Sequence, residues 1–378
     1  MADADEGDAE VRGEGGTGSA STLAAPSFVY VGGWADGTYP FRTYALDRAT
    51  GALTQVGGDA SLGANPSYSV GSADGRFIYV ANEAWSGTPG VTVATIDARG
   101  VPSFRAQVPL DAGGTPVFTS LAGTSVLLAA DYNGGRALSY RIEADGSLRG
   151  PLDVEKFEGP RAGASPETHS FVAHPSGRYA YAPNKAIDRI AQLSLDLATG
   201  KLTPLPGEPF AVAEDEPRII AFSPRGDHAY VMHEKASTLV TFRVGVDGRL
   251  QKMDSKSTLP SNTTGASLGA HVRVHPSGKY VYASNRDGDV STIAAFAIEA
   301  DGTPRLLGHT PSGGKGPRHF DIDPDGRWLV VANQGTRGGR DGTLTVFEIG
   351  GDGRLTPRGK PVTGLVEPTS ATLVTRAP

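Results

Sequence analysis

Phe77-Ile-Tyr-Val-Ala-Asn82 is one of seven versions of a single apolar strand that returns down the chain at a nearly fixed interval. The others run from Phe28 to Gly33, Val126 to Asp131, Tyr179 to Asn184, His228 to His233, Tyr280 to Asn285 and Trp328 to Asn333. Their third residues fall at 30, 79, 128, 181, 230, 282 and 330, with gaps of 49, 49, 53, 49, 52 and 48. Such a period over most of the chain marks a repeat architecture, so the repeat sets the domain count and total length does not.

Two further repeats fill the intervals. One is a turn built on glycine, which tolerates positive φ, preceded by Asp or Thr: Ala49-Thr-Gly-Ala-Leu53, Ala198-Thr-Gly-Lys-Leu202 and Val246-Asp-Gly-Arg-Leu250 are examples. The other is a strand ahead of each apolar run, as in Pro217-Arg-Ile-Ile-Ala221 and Pro317-Arg-His-Phe-Asp321, often joined to it by a Pro-x-Gly turn. Each unit thus reads strand, turn, strand, loop, strand, turn, strand. Long stretches of 3.6-residue periodicity are missing, and 51 glycines with 27 prolines suit many turns. Four short antiparallel strands repeated seven times predict an all-β, seven-bladed propeller.

The chain enters the repeat at the second strand of a blade, Phe28, and leaves it at Pro368 to Val374, the first strand of one. N- and C-terminal strands are therefore expected to close the ring within one blade, making 27–378 a single domain. Segment 1–26 carries six acids against Arg12, about five of the six net negative charges, and is expected to be a disordered tail. The chain has no cysteine, so disulfides and thiol chemistry are excluded. Neither a signal-like start nor an apolar run of membrane-spanning length is visible, giving an expectation of a cytoplasmic protein without a membrane partner. A near-neutral body lacks the basic face that nucleic acid requires. Metal-ligand spacing and a phosphate loop are also missing, so no metal and no cofactor are expected. The chain is expected to act as a monomer or weak oligomer.

In such a ring the start of each first strand and the end of each second strand meet at one face near the axis. The first set reads Ser67, Val117, His169, Arg218, Ala270, Arg318 and Thr369; the second reads Glu83, Tyr132 or Asn133, Lys185, Glu234, Arg286, Gln334 and Trp34. In five blades the paired positions are sixteen residues apart, which points to a polar channel mouth. Arginine presents a planar fork for carboxylate or phosphate, and a nearby His and Glu supply proton transfer. A small anionic substrate is the expected partner. By strand alternation His319 should face away from Arg318 unless the strand start is irregular. His174, His275 and His228 are expected at turns or surface, and His233 is a candidate for orienting Glu234. Arg218 with Glu234, and Arg286 with Glu83 or Asp287, could equally be structural ion pairs.

Pro217-Arg218 with a strand ending in Glu234, Tyr282-Ala-Ser-Asn-Arg286, Gly316-Pro-Arg-His-Phe320 and Ala332-Asn-Gln334 together resemble the seven-bladed lactonase family, which includes propeller-type 6-phosphogluconolactonases and the fungal carboxymuconate lactonizing enzyme. The resemblance covers nearly the whole chain after the acidic segment. It implies a catalytic set of His169, Arg218, Glu234 and Arg286. Arg318, His319, Lys185, Glu83, Asn133 and Gln334 are the expected substrate-binding residues. The chain has Glu167-Thr168-His169 where the phosphogluconolactonase branch often has His-Pro-His, and Ile219 where that branch often has His. The expectation is hydrolysis of a sugar-type lactone, possible phosphorylation included, with Glu234 as the general base on a water, His169 as its possible helper, and Arg218 and Arg286 on the substrate anion and oxyanion. Carboxymuconate-type cycloisomerisation and a non-catalytic binding platform are the alternatives.

Overall fold

Each apolar run forms the second strand of a sheet and is buried along its length, as Ile78, Tyr79, Val80 and Ala81 show with no exposed surface. Continuous burial follows from its place: both faces of that strand pack on neighbouring sheets, so neither can be polar. The computed structural model describes residues 1, 25–35, 39–84, 87–111, 113–208, 210–286 and 290–376. Nearly all of segment 1–26 lies outside the described residues, as does Asp287.

The described strands form seven sheets, each antiparallel. Blade 1 comprises Pro66–Gly71, Phe77–Asn82, Gly90–Ile96 and Pro102–Pro109, from axis to rim. Blades 2, 4, 5 and 6 repeat that order, their inner strands being Pro116–Ala122, Pro217–Phe222, Leu268–Val274 and Pro317–Ile322. Blade 7 combines Pro368–Thr375 with Ser27–Gly33, Phe41–Leu46 and Leu53–Ala60, so the ring closes through chain ends as expected. Blade 3 departs from the pattern. Its inner strand shrinks to Val172–Ala173, with Thr168 joined to Asn184 by an isolated bridge, and its outer strand is split into Leu202–Pro204 and Phe210–Val212. The helical content among the described residues is one 3-10 turn, Lys185–Ile187, and no helix there is long and apolar enough to cross a membrane.

The three sequence repeats interlock across blades. The tyrosine at the third position of the apolar run sends its hydroxyl to the turn glycine carbonyl of the next blade: Tyr30 to Gly100, Tyr79 to Gly146, Tyr181 to Gly248, Tyr230 to Gly302 and Tyr282 to Gly353, at 2.5–3.2 Å. Where that residue is Leu128, Ser139 bonds Gly200 instead; where it is Val330, Trp328 Nε1 bonds Arg48. His174 and His275 serve the same purpose from their turns, bonding Gly226 and Gly326 at 2.8 Å. The ring at the first position of the run covers the turn glycine. A Cβ on Gly248, at φ +82°, would lie 2.5 Å from Tyr179 Cδ1. Gly248→Ala therefore combines left-handed strain with a clash, and a loss of at least about 2 kcal/mol is expected in denaturant unfolding. A change under about 0.5 kcal/mol would contradict this interlock.

Candidate active site

A kink precedes most inner strands. Asn65, Glu167, Glu216 and Glu367 take positive φ of 40°, 59°, 60° and 32°, and Gly316 takes 65°. Their carbonyls then accept the amides of Glu83, Lys185, Glu234, Trp34 and Gln334 at 2.8–3.2 Å. Strain in a non-glycine residue costs on the order of 1–3 kcal/mol and persists where its surroundings enforce it. Here it fixes the residues that end the second strands at the channel mouth.

The inner strands begin with a β-bulge. Pro66 pairs with Asn82 while Tyr68 pairs with Ala81, leaving Ser67 as the extra residue. Val117, Arg218, Arg318 and Thr369 are extra in the same way. A bulge opposes two residues to one and breaks the alternation, so successive side chains such as Arg218 with Ile219 and Arg318 with His319 line one chamber. The alternation that would turn His319 away is thereby corrected.

The mouth encloses about 220 Å³. Of the residues expected there, His169, Glu234, Arg286, Arg318, Lys185, Glu83 and Asn133 line it. Arg218 and His319 lie one step deeper, in a chamber that also borders His169, Glu83 and Arg318. Gln334 lines neither cavity and donates to Glu367 Oε2 at 3.2 Å.

Glu234 is the hub. Its Oε1 meets Lys185 Nζ at 3.2 Å and Arg286 Nη2 at 3.1 Å, and its Oε2 lies 2.8 Å from Arg218 Nε. That last N–H is not directed at the oxygen, so the contact is an ion pair without a formed hydrogen bond. Burial opposes the charge on Glu234, but Arg218, Arg286, Lys185 and Arg318 outweigh it and bring the carboxyl down to about 2. Lys185 also reaches Glu167 and Glu216 at 3.7 and 3.6 Å. Arg218 donates Nη1 to the Ala270 carbonyl. Burial, opposed by Glu234 and reinforced by Arg286, brings Arg218 down to about 10. Burial with Arg286 and Arg218 brings Arg318 down to about 9. Both guanidinium groups remain charged at neutral pH. Arg318 has no ion-pair partner among the described residues; its guanidinium stacks 4.1 Å from the centre of the Trp34 ring.

The two mouth carboxyls are driven apart. Burial pushes Glu83 up, more than Arg318 and the 2.9 Å hydrogen bond from Trp34 Nε1 offset. Glu83 pairs with Trp34 and Arg286 with Glu234, so the alternative Arg286–Glu83 pair is not formed. Burial, then Arg218, Lys185 and Arg318, hold the His169 imidazole well below its usual range. Tyr132 packs edge-on against His169 at 5.6 Å and lies under Lys185 at 5.7 Å. His233 faces Asp188, Glu214 and Lys252 rather than Glu234. Sequence reasoning missed His271, which follows the extra residue Ala270 as His319 follows Arg318 and reaches the same chamber. The signal was its alignment with Tyr68, Phe118, Ile219 and His319.

Burial makes the protein acid-sensitive. His233 is brought down to about 4 by burial and then Lys252, and His169, His271 and His319 are also held well below their usual range, burial being the main cause in each. As pH falls below about 6.5, the unfolded chain binds protons that the folded chain refuses, so stability drops toward pH 4. His233 alone contributes on the order of 3 kcal/mol across that window. Glu234 adds a second loss between about 4.5 and 2. Urea midpoints measured from pH 7 to pH 4 should fall steadily; a flat profile would contradict neutral buried histidines.

A family model described as "Lactonase, 7-bladed beta-propeller" matches residues 28–372. A 6-phosphogluconolactonase of Bacillus subtilis is 30% identical over 335 residues, covering 86% of this chain and 91% of its own. A solved Bacteroides fragilis protein assigned as a 6-phosphogluconolactonase superposes with a TM-score of 0.80 at 27% identity, over 94% of this chain and 99% of its own. A periplasmic gluconolactonase of Pseudomonas aeruginosa superposes with a TM-score of 0.81 at 24% identity over 93% and 100%, a likeness of fold. The same fold thus serves a periplasmic protein, and a cytoplasmic location does not follow from it.

Proposed function

Because the chain belongs to the seven-bladed β-propeller lactonase family, we propose that it hydrolyses a phosphorylated sugar lactone at the channel mouth. The observation that carries this reading is Arg318, a charged guanidinium with no carboxylate in ion-pair contact among the described residues, where burial and the crowding by Arg286 and Arg218 outweigh the nearby Glu83 and Glu234. An anion there relieves repulsion that the protein alone leaves in place. The names of the Bacillus subtilis and Bacteroides fragilis relatives support a sugar-phosphate lactone as the substrate class.

Arg318 and Arg286 hold the phosphate. Arg218, at the floor of the mouth, faces the carbonyl oxygen as negative charge develops on it. His169 removes a proton from water. Glu234 is a weak base with its carboxyl near 2, and its work is to fix Arg218, Arg286 and Lys185. The bound anion offsets the cations that depress His169 and so raises its basicity when substrate is present. Water oxygen bonds to the lactone carbonyl carbon, the ring C–O bond breaks with its electron pair staying on oxygen, and that oxygen takes a proton to become a hydroxyl. Glu83, pushed toward its protonated form, is placed to supply that proton.

Arg318→Met should raise KM for 6-phosphogluconolactone at least about tenfold while changing KM for unphosphorylated gluconolactone by less than about twofold, the scale of one lost charge-assisted contact. Equal effects on both substrates would remove phosphate recognition from Arg318. Turnover of a muconate with no lactone hydrolysis would replace the reading by cycloisomerisation.

A further inference from the structure

Beneath the mouth the channel narrows to a chamber of about 20 Å³. About 10–15 Å³ suffices for one water. The chamber shares Glu83, His169 and Arg318 with the mouth, and Tyr68 and His271 with a cavity of about 470 Å³ at the other end of the inner strands. Three buried ring nitrogens around it have no hydrogen-bond partner among the described residues: His169 Nδ1, His271 Nε2 and His319 Nε2. The His271 and His319 rings lie 4.2 Å apart, and Tyr68 meets His319 edge-on at 5.1 Å. These contacts leave the rings little freedom to turn toward other partners.

The tautomer of His319 is fixed by its neighbour. The Ala371 amide donates to His319 Nδ1 at 3.2 Å, so a neutral imidazole must carry its hydrogen on Nε2. Burial, then Arg273 and Arg218, keeps that ring neutral. Its Nε2–H is consequently a donor with no acceptor among the described residues. An unmet buried donor costs about 1–3 kcal/mol, and three unmet nitrogens around one water-sized polar space share a single remedy.

We infer that this chamber seats the hydrolytic water, with His319 Nε2–H donating to its oxygen and the water donating toward the unprotonated nitrogen of His169. The inference rests on the lactonase reading. A substrate filling the mouth covers the water from above, and the wider lower cavity gives a route for its replacement. When the water oxygen attacks the carbonyl carbon, one proton passes to His169 and the other stays on the new carboxyl until it ionises. His319 and His271 act through the water and are positioning residues.

Two measurements decide the matter. A high-resolution crystal structure should contain an ordered water within hydrogen-bond distance of His319 Nε2 and of a second ring nitrogen from His169 or His271. A chamber without one would overturn the inference, whatever the activity. For 6-phosphogluconolactone, His319→Leu should lower kcat on the order of 10²-fold with KM within about twofold, as misplacement of a reacting group does. His319→Gln, which keeps a donor, should recover most of the loss, and both variants should unfold at similar temperatures. Equal losses in the two variants, or no loss in the first, would overturn the inference. A wild-type chain that hydrolyses no lactone but shows the water would sink the lactonase reading and with it the delivery role, leaving only a bound water.

Discussion

His169→Asn is expected to lower kcat on 6-phosphogluconolactone by about 10²–10⁴-fold, the usual contribution of a positioned base. Of the histidines lining these two spaces, His169 is the one that borders both the mouth and the chamber. Glu234 has three cations within 3.2 Å, so Glu234→Gln should act differently. It leaves buried positive charge unmatched, which costs about 3–5 kcal/mol in stability, and it removes the carboxylate that holds Arg286 and Arg218, so KM changes along with kcat. The acid side of the pH profile offers a further check. The His169 imidazole lies well below 6.5 in the free protein, so kcat/KM should stay level as pH falls through 6.5 and decline only at lower pH. An acid limb centred near 6.5, or a His169→Asn variant with unchanged kcat, would move the base elsewhere.

Deletion of Pro368 to Pro378 is expected to abolish the folded protein, although it removes a short terminal stretch. Pro368–Thr375 is the inner strand of blade 7 and pairs with Ser27–Gly33 along its length. It also ties blade 7 to both neighbours. Thr369 and Thr372 bond Ser67 and Ser69 of blade 1, while the Ala371 and Leu373 amides donate to His319 and Asp321 of blade 6. Removing it exposes Val29 and Val31, buried with Ala371, and opens the ring at one blade. Each lost buried hydrogen bond costs about 1 kcal/mol, against total stabilities of about 5–15 kcal/mol. The shortened chain should therefore lack a cooperative unfolding transition. Removal of residues 2–24 should leave the midpoint of the transition within about 1 °C, since that composition cannot bury a core. A cooperative transition in the C-terminal deletion would contradict closure by that strand.

The fold was legible because its repeats are chemical as well as numerical. The turn glycines need positive φ and a flat neighbour, and the tyrosines need a carbonyl at a fixed distance, so both leave residues that can be read at intervals. The mouth was legible through the sixteen-residue spacing, which is the length of a hairpin returning to the same face. Alternation failed where the inner strands bulge. One extra residue sends both Arg318 and His319 toward the axis, and a bulge depends on three-dimensional twist that a single strand's sequence does not carry. His271 was passed over for that reason, with Ala270 taken as the axial residue. Gln334 failed differently: its position is right, yet Glu367 on the adjoining kink captures its amide. Partner choice between Glu83 and Glu234 also needed coordinates, because Trp34 Nε1 competes for Glu83.

The central claim is that residues from separate blades form one anion-binding hydrolytic site. Its most direct test is a crystal structure with the product, 6-phosphogluconate. The phosphate should lie within hydrogen-bond reach of Arg318 and Arg286, with the carboxylate between Arg218 and His169. Product bound at the opposite end of the channel or on the outer surface, with the mouth arginines untouched, would contradict the account.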